Sequence, residues 1–287
     1  MKYRILSVLM VLILLTGCAS QAHYSIRQDL SIYFTNADQI ITAIRNSLRK
    51  HDQKIIIYYS SHGDNMEDIN VIVRELMKYA LEETDDPTEG DYIFHQYGGY
   101  EMHYSYQKQE DLYQYEIEII PEYYTTLTQE QEVSEQIRQV LAEMDFHIWT
   151  SDYEKIRKIY DYICEHVDYD VIHKKNKYYH LKATAYGALI YHHAVCQGYA
   201  VAMYRLLREA GIDARVITGT AELTDGSTEF HAWNLVRIGN VYYNLDATWK
   251  TEDYFLKTDA DFKFHVRDPE YQTESFYQAY PMAEKSY

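Results

Sequence analysis

Three residues in the second half of the chain have the types that acyl transfer through sulfur requires: Cys196, His231 and Asp246. A thiol becomes a nucleophile when a histidine takes its proton, and a carboxylate behind the ring holds the tautomer that does so. Cys196 opens the run VCQGYAVAMYRLLREAG over 195–211, which reads as a helix closed by Gly211. The bare amides and positive dipole end at such a helix start favour thiolate over thiol.

One element must bring His231 and Asp246 together. Residues 229–238 and 241–249 read as strands flanking Gly239-Asn240, a two-residue hairpin signal. With that turn, Ile238 faces Val241, Val236 faces Tyr243 and Trp233 faces Asp246. His231, Trp233 and Asp246 then share a face, with His231 and Asp246 as diagonal neighbours within side-chain reach. The same register turns Asn234 and Trp249 to the other face, where a structural hydrogen bond is expected of each. Residues 215–218 predict a further strand.

The segments TAYGAL (184–189), VCQGYA (195–200), FHAWNLV (230–236) and YYNLDATW (242–249) resemble the transglutaminase-like superfamily. The resemblance runs from about Ser151, through VDYD at 167–170, to YFL at 254–256 and the tail. It implies a papain-like α+β core, in which the cysteine helix packs on an antiparallel sheet carrying His and Asp. It also implies that Cys196, His231 and Asp246 are the catalytic triad of a thiol enzyme. The expected activity is that of a peptidase or amidase working through a thioester on a protein or peptide substrate. The alternatives are transamidation of glutamine and a non-catalytic binding or assembly module. No cofactor is called for. The Cys196 backbone N–H is one natural oxyanion donor. Papain-like enzymes take a second from a glutamine shortly before the cysteine, and 188–195 contains none; Tyr186 and Tyr169 are the candidate donors, and Trp233 a candidate wall of the site.

The rest of the chain frames this half. With 287 residues there is room for two modest domains. Lys2 and Arg4, an apolar run from Ile5 to Leu15 and the ending LTGC predict an export signal over 1–17 with lipid attached to Cys18. The expected location is therefore outside the cytoplasm, anchored to the membrane by lipid. A tether over 18–35 and an N-terminal α/β domain over 36–126 follow, then the transglutaminase-like domain over 127–287. In the N-terminal domain, 36–50 and 69–80 have helical periodicity, whereas 54–60, 92–106 and 112–120 read as strands. Thr128 with Gln131, and Ser151 with Glu154, predict capping boxes for the next two helices.

A formal charge of −17, two units lower still once Lys2 and Arg4 leave, argues against a nucleic-acid partner. The 32 tyrosines read as half-buried strand residues. Three cysteines make no disulfide scaffold; Cys164 reads as a packed side chain, with a bridge to Cys196 as the rival. His192, His193 and Cys196 lack a fourth partner for structural zinc, and Asp168 with Asp170 lack a calcium loop, so no metal is expected.

Overall fold

The computed structural model describes residues 34, 36–63, 66–223 and 225–287. The expected signal, the lipid-bearing Cys18 and the tether, Phe34 apart, lie outside the described residues. Among the described residues no helix is long and apolar enough to cross a membrane.

The first half builds an antiparallel sheet in the order β1-β3-β2, from β1 (Ile55–His62), β2 (Tyr97–Gln109) and β3 (Leu112–Tyr123). On β3, Tyr113, Tyr115, Ile117 and Ile119 are buried, while the residues between them are not, which is the period of two read from the sequence. Helices α1 (Ala37–Arg49) and α2 (Met66–Ala80) cover that face with Ile41, Ile44, Leu48, Ile69, Ile72, Val73 and Leu76.

Two local readings change. The strand expected from residue 92 begins only at Tyr97; Asp91–Phe94 is a short helix, α3. Its first residue, Asp91, is held by the second half of the chain, and this tertiary contact overrides a β-prone local sequence. The capping box before α4 (Leu127–Met144) uses Thr126 and Gln129, two residues earlier than expected. Thr126 is extended and free to cap, whereas Thr128 already lies inside the first turn. The Ser151–Glu154 box before α5 (Asp152–His166) is present.

The second half is a layer of helices on a four-stranded antiparallel sheet, order β8-β7-β6-β9. Its strands are β6 (Ala214–Glu222), β7 (Thr228–Ile238), β8 (Val241–Leu245) and β9 (His265–Arg267). The cysteine helix α6 (Cys196–Glu209) lays Ala200, Met203, Tyr204 and Leu207 in one core with Val216, Ala232 and Val236 of the sheet, and α4 and α5 complete that core. The opposite sheet face, with Ile217, Trp233 and Leu235, is closed by Phe262, Tyr271 and Phe276 of the C-terminal segment.

The two halves are clamped together by residues 83–97. Asp91 is 5% exposed; it accepts from Arg215 Nε at 2.7 Å and Nη2 at 3.0 Å, and from the Val216 backbone N–H at 2.7 Å. The Gln96 side chain accepts from the Ala185 N–H at 2.7 Å, Arg208 donates to the Thr84 carbonyl at 2.6 Å, and Gln197 donates to the His95 carbonyl. Tyr92 belongs to the larger core of the second half. Burial and an adjacent Asp91 charge push the Glu83 carboxyl up to about 7, despite Arg215 nearby and a hydrogen bond from Tyr204.

Candidate active site

Cys196 is placed by the chain that leads to it. Strand β5 (His193–Ala194) pairs in parallel with β4 (Asp168–Tyr169), and Val195 stays extended while donating to the Lys182 carbonyl at 2.9 Å. The helix can then begin only at Cys196, whose side chain is 5% exposed as a residue at its first turn. Two residues on, only glycine fits: a Cβ on Gly198 would lie 2.8 Å from the Lys182 carbonyl oxygen and from the Ala194 Cβ. That close approach packs the Cys196 helix against the segment before it.

His231 and Asp246 meet as the hairpin register requires. Gly239 takes φ +64° in the turn, Ile238 pairs with Val241 and Val236 with Tyr243, and the ladder runs to Asn234 and Leu245. His231 Nε2 lies 2.7 Å from Asp246 Oδ2, with side chains 4% and 1% exposed. The Asp246 backbone N–H donates to the Tyr254 carbonyl at 3.0 Å, and Thr248 N–H donates to Oδ1 at 2.9 Å, so both carboxylate oxygens are engaged. The Cys196 sulfur lies close enough to the His231 ring to act on its charge. With Nε2 facing the carboxylate, Nδ1 is the nitrogen left for sulfur.

The charges follow from this geometry. Burial alone disfavours a charged ring, but the Asp246 carboxylate, with Cys196 adding to its effect, outweighs it and pushes His231 up to about 10. Burial pulls Asp246 the other way, yet His231 and His265 hold it well below the usual carboxylate range. Both directions describe one ion pair shielded from water.

The surrounding residues divide. Trp233, 1% exposed, lies with its ring centroid 6.2 Å from that of His231 and donates its N–H to Asn244 Oδ1 at 3.1 Å, so it walls the histidine with its polar edge already used. Tyr169 is close enough to Cys196 that their charges interact, and burial first, then that interaction, raises its phenol above the ordinary range. Tyr186 is directed elsewhere: its hydroxyl donates to Glu132 at 3.0 Å. Asn234 donates to the carbonyls of Ala200 at 2.9 Å and Arg215 at 3.2 Å, the structural role its register implies.

Trp249 corrects the sequence reading. Its ring centroid sits 5.7 Å from that of His231, on the site side, and its buried indole N–H has no partner among the described residues. Strand β8 ends at Leu245, so the alternation that assigned Trp249 to the far face stops four residues before it, and the turn after Asp246 swings it back. His265 of β9 was not legible as a site residue: its Nε2 lies 3.3 Å from Asp246 Oδ2. Only pairing of β9 with β6, through Ala221 and His265, brings it there.

Cys164 and Cys196 are both free thiols. Cys164 packs at the edge of the larger core, donates to the Ala247 carbonyl at 3.7 Å and is pushed up to about 11, chiefly by burial. Asp168 pairs with Lys250 and Asp170 with His173, and His192 and His193 are exposed.

Residues 139–247 match the model of the Transglutaminase-like superfamily. Over 108 residues the chain is 32% identical to kyphoscoliosis peptidase of Mus musculus and 30% identical to that of Homo sapiens; each alignment spans 34% of this chain and 16% of the relative. The chain thus matches about a sixth of the length of these curated relatives. Among solved structures, a crystal structure of a TGase is 17% identical at a TM-score of 0.37, over 50% of this chain and 44% of that one.

Proposed function

We propose that this chain, whose residues 139–247 form a transglutaminase-like domain, is an exported cysteine hydrolase that cleaves peptide or amide bonds through Cys196, His231 and Asp246. Members of the superfamily are typically cysteine-dependent enzymes, and the relatives named above are described as peptidases. The observation that carries the reading is the buried His231–Asp246 pair, closed at 2.7 Å, with the buried Cys196 near enough to raise the His231 ring further.

In this reading His231 Nδ1 takes the Cys196 proton and the sulfur attacks the substrate carbonyl, whose oxygen turns toward the Cys196 backbone N–H. As the C–N bond breaks, the imidazolium returns its proton to the leaving nitrogen, and a thioester remains on Cys196. Water, deprotonated by His231, then attacks the thioester; the acid leaves and the thiol is restored. Asp246 stays ionised and orients the ring throughout. The signal over 1–17 and lipid at Cys18 would place this chemistry at a membrane surface outside the cytoplasm, a proposal supported by the first eighteen residues.

Alkylation by iodoacetamide tests the reading, comparing the parent chain with Cys196→Ala, Cys164→Ala and His231→Ala. Label should go to Cys196, and His231→Ala should slow it at neutral pH. A Cys196 no more reactive than a free thiol, and indifferent to His231, would sink the proposal. A glutaminyl peptide then separates the outcomes: release of acid without amine incorporation supports hydrolysis, and incorporation of a primary amine replaces it with transamidation.

A further inference from the structure

We propose that His231, Asp246 and His265 form a zinc-binding site, and that zinc bound there switches Cys196 off. Acyl transfer needs one histidine and one orienting carboxylate, yet here a second imidazole reaches the same oxygen. His231 Nε2 and His265 Nε2 lie 2.7 Å and 3.3 Å from Asp246 Oδ2, and the three atoms are all within 4.8 Å of one another. Tetrahedral zinc binds imidazole nitrogen and carboxylate oxygen at about 2.0–2.2 Å, which sets neighbouring ligand atoms about 3.4 Å apart. The cluster needs to open by about 0.7 Å on its shortest side and by about 0.1 Å on the side of His265.

The second nitrogen of His265 decides what lies between them. Nδ1 is 3.1 Å from the Lys263 carbonyl oxygen, which can only accept, so Nδ1 carries a proton. Nε2 then meets Asp246 Oδ2 at 3.3 Å across a proton it can release, and a metal ion can take the place of that proton between the two atoms. A ring whose other N–H donates to a backbone carbonyl is the usual outer support of a metal-bound histidine. The ring cannot swing away: Phe262, Trp233 and Tyr254 hold it at centroid distances of 4.1, 5.2 and 5.3 Å. A cavity of about 190 Å³ reaches His265 past Trp233, Phe262 and Asn244. That space gives the ion and its water an approach to the cluster from the side of His265.

The inhibitory half rests on the proposed role of His231. Zinc takes the lone pair of His231 Nε2, and the proton held there against Asp246 leaves for solvent. The other proton stays on Nδ1, facing sulfur. This ring can no longer accept a proton from Cys196 or exchange one with a leaving nitrogen without becoming imidazolate.

Calorimetric titration of the full chain with zinc sulfate tests the binding. One zinc per chain should bind at micromolar affinity or tighter, weakened about 100-fold or more by His265→Ala and retained by Cys196→Ala. The cobalt(II) form of the parent chain should show tetrahedral ligand-field bands without thiolate charge transfer; this spectrum decides the case should His265→Ala fail its folding melt. Absence of binding, binding unchanged by His265→Ala, or a thiolate band would each overturn the site. Zinc should also suppress acid release from the glutaminyl peptide by the parent chain; bound zinc with undiminished release overturns the switch. If His231→Ala without zinc leaves alkylation unchanged, the hydrolase reading fails, and the calorimetry still judges the metal site.

Discussion

Replacing Asp91 by alanine should unfold both halves of the molecule together. The Asp91 carboxylate is buried under β6 and receives two guanidinium bonds from Arg215 and one from the Val216 backbone. Removing one partner of a buried ion pair costs about 3–5 kcal/mol, and orphaning the backbone N–H adds about 1–3. Glu83 offsets part of this: its oxygen is 3.9 Å from Arg215 Nε, and its carboxyl is held up to about 7 partly by the Asp91 charge. Without Asp91 it ionises more readily and returns a carboxylate to Arg215. A net loss of about 3 kcal/mol is expected, which lowers Tm by roughly 9 °C for a chain of this size. Circular dichroism melts, followed in parallel by Cys196 alkylation, should fall in one transition. Asp91→Ala/Arg215→Met should recover part of the loss, because the uncompensated charge goes with the arginine. Two separate transitions, with the alkylation of Cys196 following only the later one, would refute the clamp; so would a Tm shift under about 2 °C.

Glu83 also predicts a pH dependence. Its folded carboxyl titrates near 7 against an ordinary 4.5, so its contribution to stability is full below the lower value and lost as pH rises through the upper one. Glu83→Gln should therefore gain on the parent chain between pH 5 and pH 8, by up to about 3 kcal/mol in denaturant unfolding; a constant difference would contradict the assignment. Cys164, pushed up to about 11, should escape alkylation near neutrality, and Cys164→Ser should leave the rate at Cys196 unchanged in peptide mapping. At Trp249, phenylalanine keeps a ring beside His231 and deletes a buried N–H with no partner, so stability should hold or rise by about 1 kcal/mol. Trp249→Ala should lose about 3–5 kcal/mol by urea titration, and an equal loss for both variants would show that the N–H has a partner after all.

Local chemistry sufficed for much of the site. A two-residue turn at Gly239-Asn240 sets the pairing of every residue up both strands, so His231 and Asp246 could be placed on one face from spacing alone. Helix periodicity and the stop at Gly211 likewise located Cys196 at a helix start. That reasoning holds only while the ladder lasts, and it failed at Trp249, beyond the last paired residue of β8. Residues 92–94 read as strand, because the Asp91–Arg215 contact that fixes the short helix there joins residues 124 apart in the chain. His265 was invisible for the same reason: its short strand has no periodicity to read, and its meaning comes from an oxygen it reaches across the sheet. The sequence by itself determined that Cys196 stands at a helix start and that His231 and Asp246 share a sheet face, because turn, register and helix start are local properties. Only the tertiary structure decided what surrounds that carboxylate and what ties the first half to it, because those contacts depend on how separate elements pack.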